Sequence, residues 1–350
     1  MMPLALVWSD RFTDHVPPPG HPERVDRAVV MREVAEAWRA QGGSVLAPRV
    51  PTRAELERVH AAGYVDRLAS AAGHPAVLDL DTYMSPGSWE AAQLSAGAAL
   101  TAVEHVLAEP RDGLLRAALA LTRPPGHHAL RDRAMGFCLM NNVAIAVAHA
   151  LASGVERVAI VDYDVHHGNG TQWNFYADPR VLVISTHQYP FYPMTGAAGE
   201  CGVGDGEGFT VNIPLGAGAT DGDYLLVMRG VVEPVVASYR PELLILDVGF
   251  DAHDRDPLGQ MHVTTAGFRA IAVHLRRVAE AVAGGRLALA IEGGYNLEAL
   301  REGLQATIDV LAADVTTPLE AMPVDDRPTA LGLAALDLVC AAQKGYWPAL

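Results

Sequence analysis

The sequence predicts an α/β fold built on a parallel sheet, and three observations predict it. Five short runs are apolar throughout instead of alternating: "LLRAALALT" (114–122), "RVAIVDYD" (157–164), "VLVIST" (181–186), "ELLILDVGF" (242–250) and "LALAIEGGY" (287–295). Continuously apolar strands are buried on both faces, as in a parallel sheet covered by helices. Helix-length segments at 23–40, 88–108, 141–153, 222–239 and 265–283 precede or separate these runs, the order expected of an α/β chain. Finally, reactive side chains gather just after the strands: "RPPGHH" after 114–122, "DYDVHHGNG" after 157–161, "GFDAHD" after 242–248 and "EGGY" after 287–291. Open α/β sheets bind ligands at that edge.

The remaining segments fit the same plan. The opening "MMPLALVWSD" has no basic n-region and no cleavage-site pattern, so it reads as a first strand and not a signal peptide. Residues 134–155 carry no Asp, Glu, Lys or Arg, but Gly136, Asn141, Asn142, His149 and Ser153 interrupt them. Such polar groups are costly in lipid, so a buried helix is expected there and no membrane span. The Gly/Pro-rich stretch 193–218 reads as loops over the active-site face. With no repeat and no Ser/Gly-rich linker, residues 1–350 are expected to form a single catalytic domain.

Composition narrows the function. Asp and Glu outnumber Lys and Arg 41 to 26, a formal net charge of -15, which argues against a nucleic-acid partner and fits either a cationic ligand or simple solubility. Three scattered cysteines, Cys138, Cys201 and Cys340, are too few for a disulfide framework or a thiolate zinc site, and a reducing, cytoplasmic setting is expected.

Asp162, Asp164 and His166 are spaced two apart, so an extended chain puts them on one face, and Asp251 arrives from another strand end. Two carboxylates and an imidazole suit a divalent metal with one coordination position left open. The spacing alone is equally that of two aspartates capping a turn. His127 and His128 follow two prolines and a glycine, and suit general acid/base work beside a metal. Each needs an acceptor for its second nitrogen, and Asp162 and Asn169 are available. Tyr295, behind two glycines, is placed to donate to an oxyanion.

Taken together, "HPERVDR" (21–27), "DTYMSPGSWEAA" (81–92), "RPPGHHA" (123–129), "MGFCLMNN" (135–142), "VDYDVHHGNGTQ" (161–172), "GFDAHDRDPLG" (249–259) and "EGGYNL" (292–297) resemble the zinc-dependent histone deacetylase superfamily. The likeness is to the bacterial class II-like deacetylases and acetylpolyamine amidohydrolases. The resemblance implies an arginase/deacetylase-like three-layer fold around an eight-stranded, mainly parallel sheet. It implies Asp164, His166 and Asp251 as ligands of one catalytic zinc or ferrous ion. His128 would be the general base, supported by Asn169 where some relatives carry Asp. His127 with Asp162 would be the electrostatic member of the tandem, and Tyr295 would polarise the amide carbonyl. Phe137 and Tyr192 would wall an acyl-lysine tunnel, and Gly136 would let the stem approach the backbone. Asp81 matches a rim position that holds substrate amides, although a plain helix-entry aspartate reads the same way.

Relatives also bind a structural potassium near Asp162, Asp164, His166, Ser185 and Thr186. His167 is expected to pack beneath the site and His253 to be a loop residue. The implied reaction is hydrolysis of an acyl-lysine-like or small acylated amine. An acetylpolyamine amidohydrolase is the nearest alternative, and a catalytically silent acyl-lysine-binding protein the next. Leu258 stands at the gatekeeper position, where a polyamine-selective relative has Glu. The Pro-rich 15–21 and the acidic charge leave a homo-oligomer open.

Overall fold

The apolar runs become the middle of an eight-stranded sheet. Its strands are β1 (Leu4–Val7), β2 (Ser44–Leu46), β3 (Arg116–Ala120), β4 (Val158–Asp162), β5 (Val181–Gln188), β6 (Thr210–Leu215), β7 (Leu243–Val248) and β8 (Arg286–Ile291). They lie in the order β2-β1-β3-β8-β7-β4-β5-β6, and every neighbouring pair is parallel. This computed structural model describes residues 3–108, 114–313 and 323–350. Every residue of β4, β5 and β7 is buried, as strands covered on both faces must be. The helix Ser88–Leu107 lies over β1, β3 and β8, and Thr265–Val282 packs on β8 and on Leu297–Ala312.

Because all eight strands run the same way, their carboxyl ends share one edge, and three helices begin close to it with side-chain caps. Asn141 accepts the N–H of Ala144 (2.8 Å), Thr264 that of Gly267 (3.1 Å), and Asn296 those of Glu298 and Ala299 (3.2 and 3.0 Å). Among the described residues no helix is long and apolar enough to cross a membrane.

Two expectations need correction. The segment 193–218 is not all loop, because β6 forms inside it. Its polar Asn212 and its Pro214 hide a strand that Pro tolerates only at a sheet edge, where β6 lies. The expected helix 222–239 is three pieces, Asp221–Val227, a π turn at Met228–Val232 and Glu233–Tyr239. Pro234 has no N–H to donate and would clash with the carbonyl four residues back, and the π turn just ahead of it accommodates this.

A fully buried ion cluster ties the N-terminal segment to the active edge of the sheet. Arg123 donates through Nε to Glu23 Oε1 (2.6 Å) and through Nη1 to the carbonyls of Phe12 and His15 (2.6 and 2.7 Å). Arg27 donates to the same Glu23 oxygen (3.0 Å) and to the carbonyl of Gly294 (2.7 Å). Burial alone would raise the Glu23 carboxyl, but Arg123, His15 and Arg27 outweigh it and hold it at about 2. A folded-state value below the ordinary 4.5 means that its contribution is complete above that pH and is lost as pH falls toward 2. Glu23→Ala leaves two buried guanidinium groups unpaired and is expected to lower stability by ~3–5 kcal/mol, measured by urea denaturation at neutral pH.

Candidate metal centre and active site

β4 ends at Asp162, and the turn that follows brings Asp164 and His166 over the sheet edge, while β7 delivers Asp251. The ligand atoms of Asp164, His166 and Asp251 lie within 4.8 Å of one another. His166 Nδ1 is 3.1 Å from Asp164 Oδ1 and 3.2 Å from Asp251 Oδ2. Backbone groups hold both carboxylates. Gly293 N–H donates to Asp164 Oδ2 (2.8 Å), His166 N–H to Asp164 Oδ1 (2.9 Å), and Val165 N–H to Asp251 Oδ1 (2.9 Å). A Cβ on residue 293 would sit 2.0 Å from Asp251 Oδ2, so only glycine fits there.

The electrostatics call for a cation. Burial and then the nearby Asp164 push the Asp251 carboxyl up to about 6. Burial opposes charge on His166, but the two carboxylates override it and raise the imidazole to about 10. Asp251 Oδ2 is buried and, among the described residues, has no hydrogen-bond donor in proper geometry. Two carboxylates, an imidazole and one orphaned oxygen fit a divalent ion with room for a further ligand. A second acid-rich group, Glu55, Glu104 and His149, does not fit one. Arg49 already lies on both of its glutamates, 2.6 Å from Glu55 Oε1 and 2.8 Å from Glu104 Oε1.

The tandem histidines stand beside this set, both buried. His127 Nδ1 meets Asp162 Oδ2 at 3.0 Å, and His128 Nδ1 meets Asn169 Oδ1 at 2.7 Å. The Asn169 amide nitrogen points at Met135 Sδ (3.5 Å), so its oxygen faces the imidazole and Nδ1 carries the hydrogen. That leaves His128 Nε2 with its lone pair. Burial, then the neighbouring His127 and His166, drive the His128 value well below 6.5, so the ring is neutral. Glu292, unremarked in the sequence reading, accepts the N–H groups of Gly126 (2.6 Å) and His127 (3.1 Å) and thereby holds the histidine loop.

Burial raises the Tyr295 phenol well above 10, so it keeps its proton. Its backbone N–H donates to Asp256 (2.6 Å), the same side chain that accepts from Leu258 N–H (3.0 Å). The Arg27 guanidinium lies 5.1 Å from the centre of the Tyr295 ring. Asp256 and Arg27 are further positioning groups that no local spacing signals.

Gly136 (φ +55°) and Phe137 (φ +67°) are consecutive left-handed residues, a conformation costly for phenylalanine and concentrated at functional sites. The nearest obstacle to a side chain at residue 136 is His128, whose Cδ2 would lie 2.4 Å from the Cβ. The glycine therefore makes room for the His128 ring. Phe137 packs edge-on to Tyr295 (5.7 Å) and to His21 (4.5 Å), and its N–H donates to Thr82 Oγ1 (3.0 Å). Tyr192 stands edge-on to His128 (5.1 Å) and His166 (6.0 Å). Phe191, not singled out from the sequence, stacks on His166 at 5.4 Å.

Asp81 lies before the short pair Ala76–Val77 and Tyr83–Met84 closes, not at a helix start, and it accepts from the Thr82 hydroxyl (2.9 Å). Leu258 is half-buried and lines one groove with Tyr295, Pro257 and Pro17–Pro22. Asp162 pairs in register with Ser185, whose hydroxyl is 3.0 Å from His187 Nδ1, while Thr186 is buried next to it. His167 has both nitrogens occupied by Thr195 and Gln172 (2.8 and 2.9 Å), and His253 is held by Thr265 (3.1 Å) and Asp254 (2.8 Å). Neither joins the ligand set.

The histone deacetylase domain model matches residues 19–311, most of the chain and every residue of this site. The chain belongs to the histone deacetylase family. A probable deacetylase of Archaeoglobus fulgidus is 40% identical over 301 residues, covering 85% of this chain and 82% of that one. A histone deacetylase-like amidohydrolase of Pseudomonas aeruginosa is 45% identical over 248 residues, 69% of this chain and 63% of that one. Histone deacetylase 15 of Arabidopsis thaliana is 38% identical over 340 residues, 94% of this chain but 59% of the plant protein. The chain thus spans less than two thirds of the second and third of these relatives. The crystal structure of the HDA15 HD domain superposes with a TM-score of 0.88 at 35% identity, over 100% of this chain and 97% of that one. The sheet and its flanking helices are the arginase/deacetylase fold that the family shares.

If Asp164, His166 and Asp251 form the cation site, Asp251→Ala is expected to remain folded by circular dichroism and to lose stoichiometric divalent metal. Elemental analysis after reloading and desalting checks this.

Proposed function

We propose that this histone deacetylase family protein is a metal-dependent amidohydrolase that removes acetyl or related acyl groups from N-acyl-lysine-like amines. Asp164, His166 and Asp251 would hold one zinc ion, ferrous iron being the alternative. When bound, the ion supplies Lewis acidity toward water and the amide carbonyl. The chain's own groups do the rest. His128 Nε2 accepts a proton from the attacking water as its oxygen bonds to the carbonyl carbon. The Tyr295 hydroxyl donates to the developing oxyanion. The C–N bond then breaks, the proton passes from His128 to the leaving nitrogen, and the second proton of the attacking water also ends on that nitrogen, giving a carboxylate and an ammonium. His127, held by Asp162, stabilises charge beside the reacting atoms. Phe137 and Tyr192 flank the substrate stem, Gly136 lets that stem approach the backbone, Asp81 meets substrate backbone at the rim, and Leu258 guards the entrance. A structural potassium near Asp162, Ser185 and Thr186 and a cytoplasmic location complete this reading.

The observation that carries it is the His128–Asn169 bond, which leaves a neutral base with a free lone pair beside a three-ligand cation set. Relatives named deacetylase and amidohydrolase support the reaction class. A silent acyl-lysine binder has no need of a neutral base and a protonated phenol at the same point.

Tyr295→Phe is expected to slow turnover by ~10²–10³-fold with metal content unchanged, the effect of losing one oxyanion donor. Steady-state kinetics on an acetyl-lysine peptide measures it, and wild-type turnover would remove Tyr295 from the mechanism. Substrate choice turns on Leu258, which offers no partner to a secondary ammonium. Wild type is expected to favour acetyl-lysine peptides over acetylspermidine, and Leu258→Glu to improve kcat/KM for acetylspermidine. A strong wild-type preference for acetylpolyamines would make this an acetylpolyamine amidohydrolase with the same chemistry.

A further inference from the structure

Met135 and Cys138 exchange backbone hydrogen bonds, Cys138 N–H to the Met135 carbonyl (3.0 Å) and Met135 N–H to the Cys138 carbonyl (3.3 Å). Gly136 and Phe137 are therefore the two central residues of a tight hairpin turn, and both have positive φ (+55° and +67°). That is the pattern of a type I′ turn, whose second central position favours glycine. Phenylalanine is strained there, and the N–H at that position has no partner within such a turn. Its partner comes from outside, for Phe137 N–H donates to Thr82 Oγ1 at 3.0 Å.

Thr82 is fully buried, and its hydroxyl is used twice. A backbone N–H can only donate, so the oxygen accepts from Phe137 and its own hydrogen goes to Asp81 Oδ1, 2.9 Å away. The backbone of Asp81 is held as well. Glu23 N–H donates to His21 Nδ1 (3.1 Å), which puts the ring hydrogen on Nε2, and Nε2 donates to the Asp81 carbonyl (3.0 Å). The same imidazole stands edge-on to Phe137 (4.5 Å) and to Tyr83 (5.7 Å). We propose that Thr82 is a positioning residue that joins two grips on a chain-borne acyl-lysine. Through one hydroxyl it steadies the Phe137 wall beside the stem and aims the Asp81 carboxylate at the substrate's backbone amides. Thr82 has this role on the reading proposed above, in which Phe137 flanks the stem and Asp81 meets substrate backbone. A small acylated amine uses the wall alone, whereas an acyl-lysine within a peptide uses wall and rim together.

One arm of the test needs no activity. Hydrogen exchange followed by mass spectrometry over residues 135–140 compares metal-loaded wild type, Thr82→Val and Thr82→Ser. Thr82→Val removes the acceptor, and exchange at the Phe137 amide is expected to quicken by ~5–10-fold, the worth of one hydrogen bond. Thr82→Ser keeps the hydroxyl and is expected to keep wild-type protection. In steady-state kinetics on an acetyl-lysine peptide, Thr82→Val is expected to raise KM by ~10-fold, the scale of one hydrogen bond to a charged group. Its kcat is expected to stay within ~2-fold of wild type, the mark of lost binding and not of lost chemistry. Thr82→Ser restores KM. On N-acetylbutylamine, which has no backbone amide for Asp81 to meet, the rise in KM is expected to be smaller. In an Asp81→Ala background the valine substitution is expected to cost the peptide less than it does alone, because the two residues act as one unit. Unchanged exchange at Phe137 in Thr82→Val would overturn the proposal. So would a serine variant as impaired as the valine one, an equal loss on both substrates, or additive effects with Asp81→Ala. If Thr82→Val does not fold, Thr82→Ala removes the hydroxyl without forcing a methyl into its place, and the same comparisons decide. If no acylated amine were hydrolysed, the substrate reading would fall, and the exchange arm would still show whether Thr82 holds the Phe137 turn.

Discussion

Negative charge buried at the carboxyl edge of a parallel sheet has to be answered by something positive or by a proton, and most of this site is a set of such answers. Asp164 and Asp251 converge so closely that burial and mutual repulsion raise one of them, and the pair draws His166 toward the charged form. Asp162 answers with an imidazole, Glu292 with two backbone N–H groups, and Glu23 with two guanidinium groups. The backbone bends to let these answers be given. Residue 293 is glycine because a side chain would enter the ligand set, and residue 136 is glycine because one would strike His128.

The same constraint divides the tandem histidines. They are neighbours in sequence and nearly in ring contact, 4.1 Å between centres, yet their partners differ in charge. His127 faces a carboxylate and His128 faces a neutral amide. An amide oxygen accepts from the ring but carries no full negative charge, so it supports an imidazolium less than a carboxylate would. Local packing then keeps the pair in register, with Met135 turning the amide of Asn169 and Tyr192 closing over the ring.

Much of this was legible in the sequence, for identifiable reasons. Asp162, Asp164 and His166 stand two apart, and although only Asp162 lies on the extended strand and a turn carries the other two, the strands before them are apolar enough to mark their own ends. The family motifs pointed to the same residues. Other parts were hidden. Glu23 and Arg27 lay within a motif without a role, because their partner Arg123 is about a hundred residues away and Gly294 is farther still. Phe191 stacks on His166 only because the loop after β5 folds back over the edge. β6 looks like loop because an edge strand may carry Pro and Asn, and the π turn at Met228–Val232 has no periodic signature of its own.

The Arg27 side chain reaches from the N-terminal segment to the turn that carries Tyr295, grasping the carbonyls of Glu292 and Gly294 and covering the phenol ring. The chain's early residues are therefore part of the machinery at its far end. Freeing residues 10–27 would take Glu23 and Arg27 away together, leaving Arg123 buried without its carboxylate and the Tyr295 turn without its clasp.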